Sequence, residues 1–561
     1  MFTVLMFIIL LSMVVVFHEF GHFIVGKMFR IGVEAFAVGF GKAIVKTRKG
    51  ETEYRINWIP FGGYVKFVGE SPEEELAEED KGRAFNLRPP YQKALVVFAG
   101  PFMNVVLAFL IFAVMFLVGF PTTTSRIGYV SPGSPAAEAG LLPGDRIVSI
   151  DGHKIWRWDE LSKLIEERPN KPTEFTVERG DETLHKTITP QLKDKRNVFG
   201  FYEKMGTLGV AETGLRPLVG IPYPDSPAAE AGLKTGDLLL EIDGKPIDFQ
   251  QMLPRMLKPD RPHTLVAVNN FEEPEDKWNK RTIKLPALTT DNNNEEPQPS
   301  GLAAYGIEFT DLYIHSVEDD SPAQAAGVQT HDKILSVDGK QVTDWGEFTD
   351  IIRDNPDKTM AMTVLRDGKP VDLTITPELY RRTDIYAEAE QDSKPFGRIG
   401  VMRLAVSQPP EIKPERYWNP FKILGRSLQL SAHWTVLTVK AFGYIFTGDV
   451  SPKAVGGPIT IAVMAGESAR LGVFPFFMLM AIISLNLAVI NLVPMPVLDG
   501  GHLLFYSIEA IRRKPLSPRA MEYAGRAGFA FLGLLILFIL YVDVSRFSQN
   551  IKEIFMKAVD F

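Results

Sequence analysis

A chain of 561 residues is too long to bury a single core, so several folding units are expected. Its net charge of −7 comes with no basic stripe, which excludes a nucleic-acid-binding surface. There is no cysteine, so disulfides and thiolate ligands are excluded and any metal must be held by His, Asp or Glu.

Met1 to Phe17 carries no charged side chain and runs straight into His18-Glu19-Phe20-Gly21-His22. On a helix, positions i and i+4 share a face, so both imidazoles can aim a nitrogen at one Zn²⁺. Glu19 sits beside them, where a carboxylate can take a proton from the water that such an ion activates. The same five residues could arise by accident on a surface helix. Inside an apolar helix, ionisable groups are costly and mark a functional site. A cleavable signal peptide would want a basic leading region, which Met1-Phe2-Thr3-Val4 does not offer, so the stretch reads as a retained transmembrane helix.

Lys27 to Lys93 is rich in both signs of charge, and within it Val33 to Val68 alternates around Lys49-Gly50 as a β-hairpin with aromatic residues suited to an interface. Glu73 to Asp80 reads as a solvated acidic loop. Ala94 to Phe120 is a second span, opening on Ala99-Gly100-Pro101-Phe102-Met103-Asn104, whose small residues permit close helix approach.

A repeat follows. Ser134-Pro135, Gly144-Asp145 and Asp151-Gly152 recur as Ser226-Pro227, Gly236-Asp237 and Asp243-Gly244, and again as Ser321-Pro322, His331-Asp332 and Asp338-Gly339. Each copy predicts a short helix, a turn, a strand and another turn. A further helix is expected at Trp158 to Glu167 and at Trp345 to Arg353, whereas Pro254, Pro259, Pro262 and Pro274 interrupt the second copy. The unit resembles a PDZ domain of the bacterial protease type. That resemblance implies capture of extended peptide ends by strand addition, with mere spacing or obstruction as the other reading.

The polar stretches Asp291 to Ser300 and Arg381 to Pro395 read as linkers. Leu424 to Phe446 carries Arg426, His433 and Lys440 and is expected to be an interfacial helix, with His433 an interfacial side chain. Val473 to Val497 forms a third span leading into Asn491 through His502; Ala527 to Val542 forms a fourth, and Arg546 to Phe561 a short amphipathic helix. Catalysis needs a third metal ligand, and Asp499 is the candidate. It follows a break at Pro494 and Pro496, tolerated at membrane depth only inside protein or beside a wet cavity.

Basic residues after the first span (Lys27, Arg30, Lys42, Lys46, Arg48, Lys49) and after the third (Arg512, Arg513, Lys514) place both ends in the cytoplasm. The three repeats then lie outside, and the site lies toward the cytoplasmic side. With helix entry near Val4, His18 is roughly 21 Å along the span.

Taken together, His18 through His22, Ala99 through Asn104, Gly457-Pro458-Ile459 and Asn491 through His502 resemble the site-2 protease family of intramembrane zinc metalloproteases, over essentially the whole chain. The resemblance implies His18, His22 and Asp499 as Zn²⁺ ligands, Glu19 as general base and Asn491 as a substrate-positioning residue. It also implies a membrane-reentrant hairpin at Val33–Val68. Expected substrates are single-pass membrane proteins of the anti-sigma-factor kind or remnant signal peptides, cut within the bacterial inner membrane. The family's usual architecture has two PDZ domains, whereas this sequence predicts three.

The expected fold is therefore a polytopic α-helical membrane protein of about four transmembrane helices, with a reentrant β-hairpin and inserted α+β PDZ-like domains. Its expected parts are a membrane core (1–121), PDZ-like copies (122–206, 207–290 and 301–380) with a linker at 291–300, a linker with interfacial helices (381–472), and the last two spans with the tail (473–561). The alternative function is a non-catalytic, membrane-anchored PDZ scaffold.

Overall fold

Long apolar stretches fold as helices, the form in which a segment satisfies its own backbone within lipid. The computed structural model describes residues 1–70, 76–197, 199–288, 301–380, 395–450, 456–514 and 516–559. The linker expected at 291–300, nearly all of Arg381 to Pro395 and the start of the acidic cluster lie outside the described residues. Two units emerge: one joins Met1–Pro121 to Pro414–Phe561, and the other is built from Thr122–Arg382 and Gln391–Lys413.

The first unit contains helices α1 (Phe2–Met28), α2 (Pro90–Val118), α3 (Pro420–Thr447), α4 (Pro458–Leu471), α5 (Val473–Asn491), α6 (Asp499–Arg512) and α7 (Pro518–Val559). Among the described residues four segments are long and apolar enough to cross a membrane: α1, α2, α5 and Met521–Ser545 of α7. Leu10 and Val14 of α1, Leu107 to Phe116 of α2, Ala465 of α4 and Leu479 to Leu485 of α5 form their common core. A Cβ on Gly21 would fall 2.6 Å from the carbonyl carbon of Ala99, so glycine is what lets α1 and α2 cross this closely.

Two sequence readings change. The third span ends at Asn491, and Leu492 to Leu498 is non-helical, because Pro494 and Pro496 remove donors and force extended backbone before them. The tail is no separate helix: α7 continues without a break to Val559. Helix α3 is not among the candidate spans; it buries Ser427, Ser431 and Thr438 while Leu424, Leu428, Val436 and Val439 are exposed. Thr438 Oγ1 donates to Asn486 Oδ1 of α5 at 2.6 Å, and His433 is exposed.

Asp543, fully buried in α7, accepts from Gly457 N at 3.0 Å, Ile459 N at 2.9 Å and Thr460 Oγ1 at 2.7 Å. It thereby caps α4 and ties the last span to it.

The hairpin consists of β1 (Val33–Lys49) and β2 (Thr52–Phe67), but it is more than one hairpin. Phe36 is opposite both Tyr54 and Val65, and Tyr54 is opposite both Phe36 and Thr47. Each strand therefore folds back on itself, giving four segments in the order 43–49, 52–57, 33–38, 63–67, in which the two outer pairs run antiparallel and the register of the central pair (Ala35 to Val38 against Glu53 to Ile56) runs parallel. Gly39 and Gly41 on one strand and Gly62 on the other have positive φ, which lets the strands bend there.

The second unit holds three copies of one design. Each has a four-stranded antiparallel sheet of equivalent order: 153–154, 146–150, 173–179, 182–188 in the first, with counterparts from 238–285 and 333–375. Ser134, Ser226 and Ser321 cap the short helices by accepting from the backbone N–H three residues on. The Asp-Gly pairs turn tightly, with positive φ at both residues (48° and 78° at Asp151-Gly152). Asp145, Asp237 and Asp332 are buried and paired with Arg179, Arg281 and Arg366. His331 adopts φ 71° where the first two copies have Gly144 and Gly236, a strain of about 1 kcal/mol that glycine avoids.

The copies differ beside their helices. Trp158–Glu166 and Trp345–Asp354 are regular helices, but the second copy has only a 3-10 turn and Leu253–Met256, ahead of Pro259. The helix of the third copy is capped at its start: Asp344 Oδ1 accepts from Glu347 N, and Glu347 reaches back to accept from Thr343 N. Hydrogen bonds from Lys340 and Thr343 hold the Glu347 carboxyl down to about 2. This support is therefore complete above the unfolded value of about 4.5 and is lost only as pH falls toward 2.

Candidate metal centre

The site begins on α1, where one helical turn separates His18 from His22. Their ring centroids lie 4.8 Å apart at 85°, and their Nε2 atoms are 3.2 Å apart. Asp499, the first residue of α6, brings Oδ2 to 3.2 Å from His18 Nε2 and Oδ1 to 3.8 Å from His22 Nε2. Among the described residues this is the one group of three His, Asp or Glu side chains whose ligand atoms lie within 4.8 Å of one another.

These spacings fit a shared ion. Tetrahedral bonds of about 2.0 Å put ligand atoms about 3.3 Å apart. Asp499 Oδ2 is buried without a hydrogen-bond partner although an imidazole nitrogen is 3.2 Å away. A cation between them would use both lone pairs, so the donor set suits zinc.

Each imidazole is oriented by its far nitrogen. His22 Nδ1 lies 2.9 Å from the Val96 carbonyl of α2. A carbonyl only accepts, so Nδ1 carries the proton and Nε2 keeps its lone pair. His18 Nδ1 lies 3.3 Å from the side-chain amide of Asn104, itself fully buried. With Oδ1 turned to accept from Nδ1–H, the amide frees His18 Nε2 and gives a partner to a buried oxygen that otherwise has none. The Asn104 carbonyl accepts from Ser484 Oγ at 2.8 Å, which ties this bond to α5.

Gly100 faces both rings from α2, and its lack of a side chain makes the room they occupy. Gly500 and Gly501 let the first turn of α6 lie against the carbonyls of the 492–498 loop. Glu19 sits next to the two histidines and accepts from the Val65 N–H of the sheet segment 63–67.

The four residues expected at the centre thus converge from the two ends of the chain. Asn491 closes α5 just before the loop to Asp499, and among the described residues no hydrogen bond joins it to them. Val96 was not singled out by the sequence, and Asn104 entered only as the last residue of the Ala99–Asn104 motif with no role assigned; a lone amide in an uncharged span was the available signal for one. Asn104→Leu is expected to lower zinc affinity by about 10- to 100-fold, read by titration against a competing chelator. Unchanged affinity would show that His18 needs no such partner.

The sequence model of Peptidase family M50 matches residues 6–535. Regulator of sigma-E protease RseP of Escherichia coli K12 is 30% identical over 542 residues, 96% of this chain and 98% of that protein. Protease RseP of Yersinia pestis is 30% identical over 541 residues, with the same coverage. A Pasteurella multocida relative with zinc metalloprotease in its name is 28% identical over 96% of this chain and 98% of its own length. Among solved structures, a PDZ domain of a Listeria monocytogenes SdrC-like protein aligns with 17% of this chain and 90% of its own length at 22% identity, with a TM-score of 0.14. With the family pattern running through nearly the whole chain, the protein belongs to peptidase family M50, the site-2 type of membrane protease.

Proposed function

We propose that this protein is a zinc endopeptidase that cuts single-pass membrane proteins within their transmembrane segments, including substrates of the anti-sigma-factor and remnant-signal-peptide kinds. The observation that carries the reading is the convergence of His18, His22 and the unpartnered Asp499 Oδ2, with Glu19 beside them. His18, His22 and Asp499 are the ligands. A zinc ion held there would supply a Lewis acid able to make a water nucleophilic near neutral pH.

Glu19 takes the water's proton and later delivers it to the leaving amine. A helical substrate keeps its carbonyls in internal hydrogen bonds, so the target segment has to unwind first. Segment 63–67 is an edge of the four-stranded sheet, and Val65 on that edge reaches Glu19. An unwound substrate adding there as a strand recovers backbone hydrogen bonds and lies next to the base. Asn491, at the end of α5, helps to hold that strand. The basic residues after α1 and α6 favour a cytoplasmic site in a bacterial inner membrane, with the repeats outside.

The repeats are PDZ-like modules with unequal roles. In the third, a cleft of about 670 Å³ runs between the helix Trp345–Asp354 and the strand Val401–Arg403, and it takes extended peptide ends. In the second, Tyr305 is fully buried where the other copies have Leu208 and Ile399, its hydroxyl donating toward Pro286 O at 3.1 Å. That copy acts as a spacer.

The test is zinc content and cleavage of a single-pass membrane substrate by the purified full-length protein. Asp499→Asn is expected to lose most of its zinc and at least two orders of magnitude in rate. Full zinc occupancy in this variant, or a wild type that cleaves equally well after chelation, would remove the metal from the reaction.

A further inference from the structure

Away from the metal centre, a cavity of about 490 Å³ opens between the N-terminal end of α2 and the C-terminal end of α6. Its wall carries four cations, Arg88, Lys93, Arg513 and Lys514, and one acid, Glu509. Lys93 Nζ pairs with Glu509 Oε2 at 3.0 Å, both side chains being nearly buried, so this pair cancels.

Three positive charges remain. Arg88 donates through Nη2 to the carbonyls of Arg30 and Gly82, both at 2.9 Å, while its Nε is buried with no hydrogen-bond partner. Among the described residues neither Arg513 nor Lys514 has an ion-pair partner, and both are exposed. The first turn of α2 has no side-chain cap, and the positive end of its helix dipole lies at the cavity. A buried guanidinium nitrogen and two unpaired cations around one cavity leave an anion's place unfilled.

The surroundings say which anion. Since α2 is a membrane span, its first turn lies at the boundary between hydrocarbon and water. Leu87 and Tyr91 beside the cavity are each 60% exposed, and Ile511 is 82% exposed, an apolar rim that suits acyl chains. We propose that this cavity binds the phosphodiester headgroup of an anionic phospholipid, with Arg88, Arg513 and Lys514 as its cationic partners. Basic pockets between transmembrane helices are a recurrent solution for such headgroups, each nearby cation strengthening binding about fivefold.

The experiment uses the full-length protein in detergent micelles, with bound phosphatidylglycerol or phosphatidylcholine counted by native mass spectrometry. Phosphatidylglycerol is expected to bind preferentially, and Arg513→Gln with Lys514→Gln to weaken it by tenfold or more. Arg512→Gln with Arg519→Gln removes the same charge from exposed positions outside the cavity wall and should leave binding near wild type. Equal weakening by the two pairs would mean diffuse surface charge and overturn the site. Equal retention of the two lipids would do the same. Displacement of phosphatidylglycerol by millimolar inorganic phosphate would make the ligand free phosphate and overturn the lipid assignment.

Discussion

Replacing Glu19 by glutamine is expected to slow peptide-bond cleavage by a factor on the order of 10² to 10⁴ while zinc content stays at the wild-type level. Glutamine matches the size of glutamate and can still accept from the Val65 N–H, so the contact with segment 63–67 is kept. What is lost is the ability to take a proton. Because the ligand cluster consists of His18, His22 and Asp499, removing this carboxylate leaves the metal's own donors in place. Single-turnover cleavage of a labelled transmembrane substrate, run alongside metal analysis, checks both halves. A rate within tenfold of wild type would move the base elsewhere, and loss of zinc would make Glu19 part of the metal shell. A wild type that holds zinc and partners yet cleaves no substrate would favour the scaffold alternative.

Gly100→Ala should abolish tight zinc binding, with affinity lower by on the order of 100-fold or more, although the added methyl is far from being a ligand. A Cβ there would lie 2.8 Å from His18 Cε1 and closer still to His22 Cε1 and Nε2. Neither ring is free to yield, since His22 is held by the Val96 carbonyl and His18 by Asn104. The helix itself gains, because alanine is favoured over glycine in a helix interior by about 1 kcal/mol. Loss of zinc with unchanged helicity is therefore the expected signature, read by chelator competition and circular dichroism. Gly533→Ala in α7 is the control, having open space around it. If Gly100→Ala binds zinc as tightly as wild type, the two imidazoles are not where the metal needs them.

Much of this protein is legible before folding is considered. Apolar length marks α1, α2, α5 and α7 as spans because the cost of placing side chains in lipid adds up residue by residue along a helix. The i, i+4 spacing of His18 and His22 puts them on one face by helix geometry alone. The repeat is visible because each copy spends the same residues on the same local tasks: serine to cap, aspartate and glycine to turn. Even the buried aspartates had a readable partner in two copies, since Arg179 and Arg366 follow Asp145 and Asp332 by the same 34 residues. In the second copy the spacing to Arg281 stretches to 44, past the prolines, and the pattern disappears.

Packing decided the rest. The doubling of β1 and β2 into four segments depends on where glycines bend under the pull of neighbouring strands, whereas alternation records only which face is apolar. The bond from Asn104 to His18 spans 86 residues and that from Val96 to His22 spans 74, and neither leaves a periodic trace. Gly100 is indistinguishable from any small residue at a helix contact until the two rings are seen against it. The sequence by itself determined which groups this chain offers to a membrane and to a metal, because those preferences belong to single side chains and single helical turns. Only the tertiary structure decided which of them meet, in which tautomer and against which backbone carbonyl, because that is set by the close packing of segments remote in the chain.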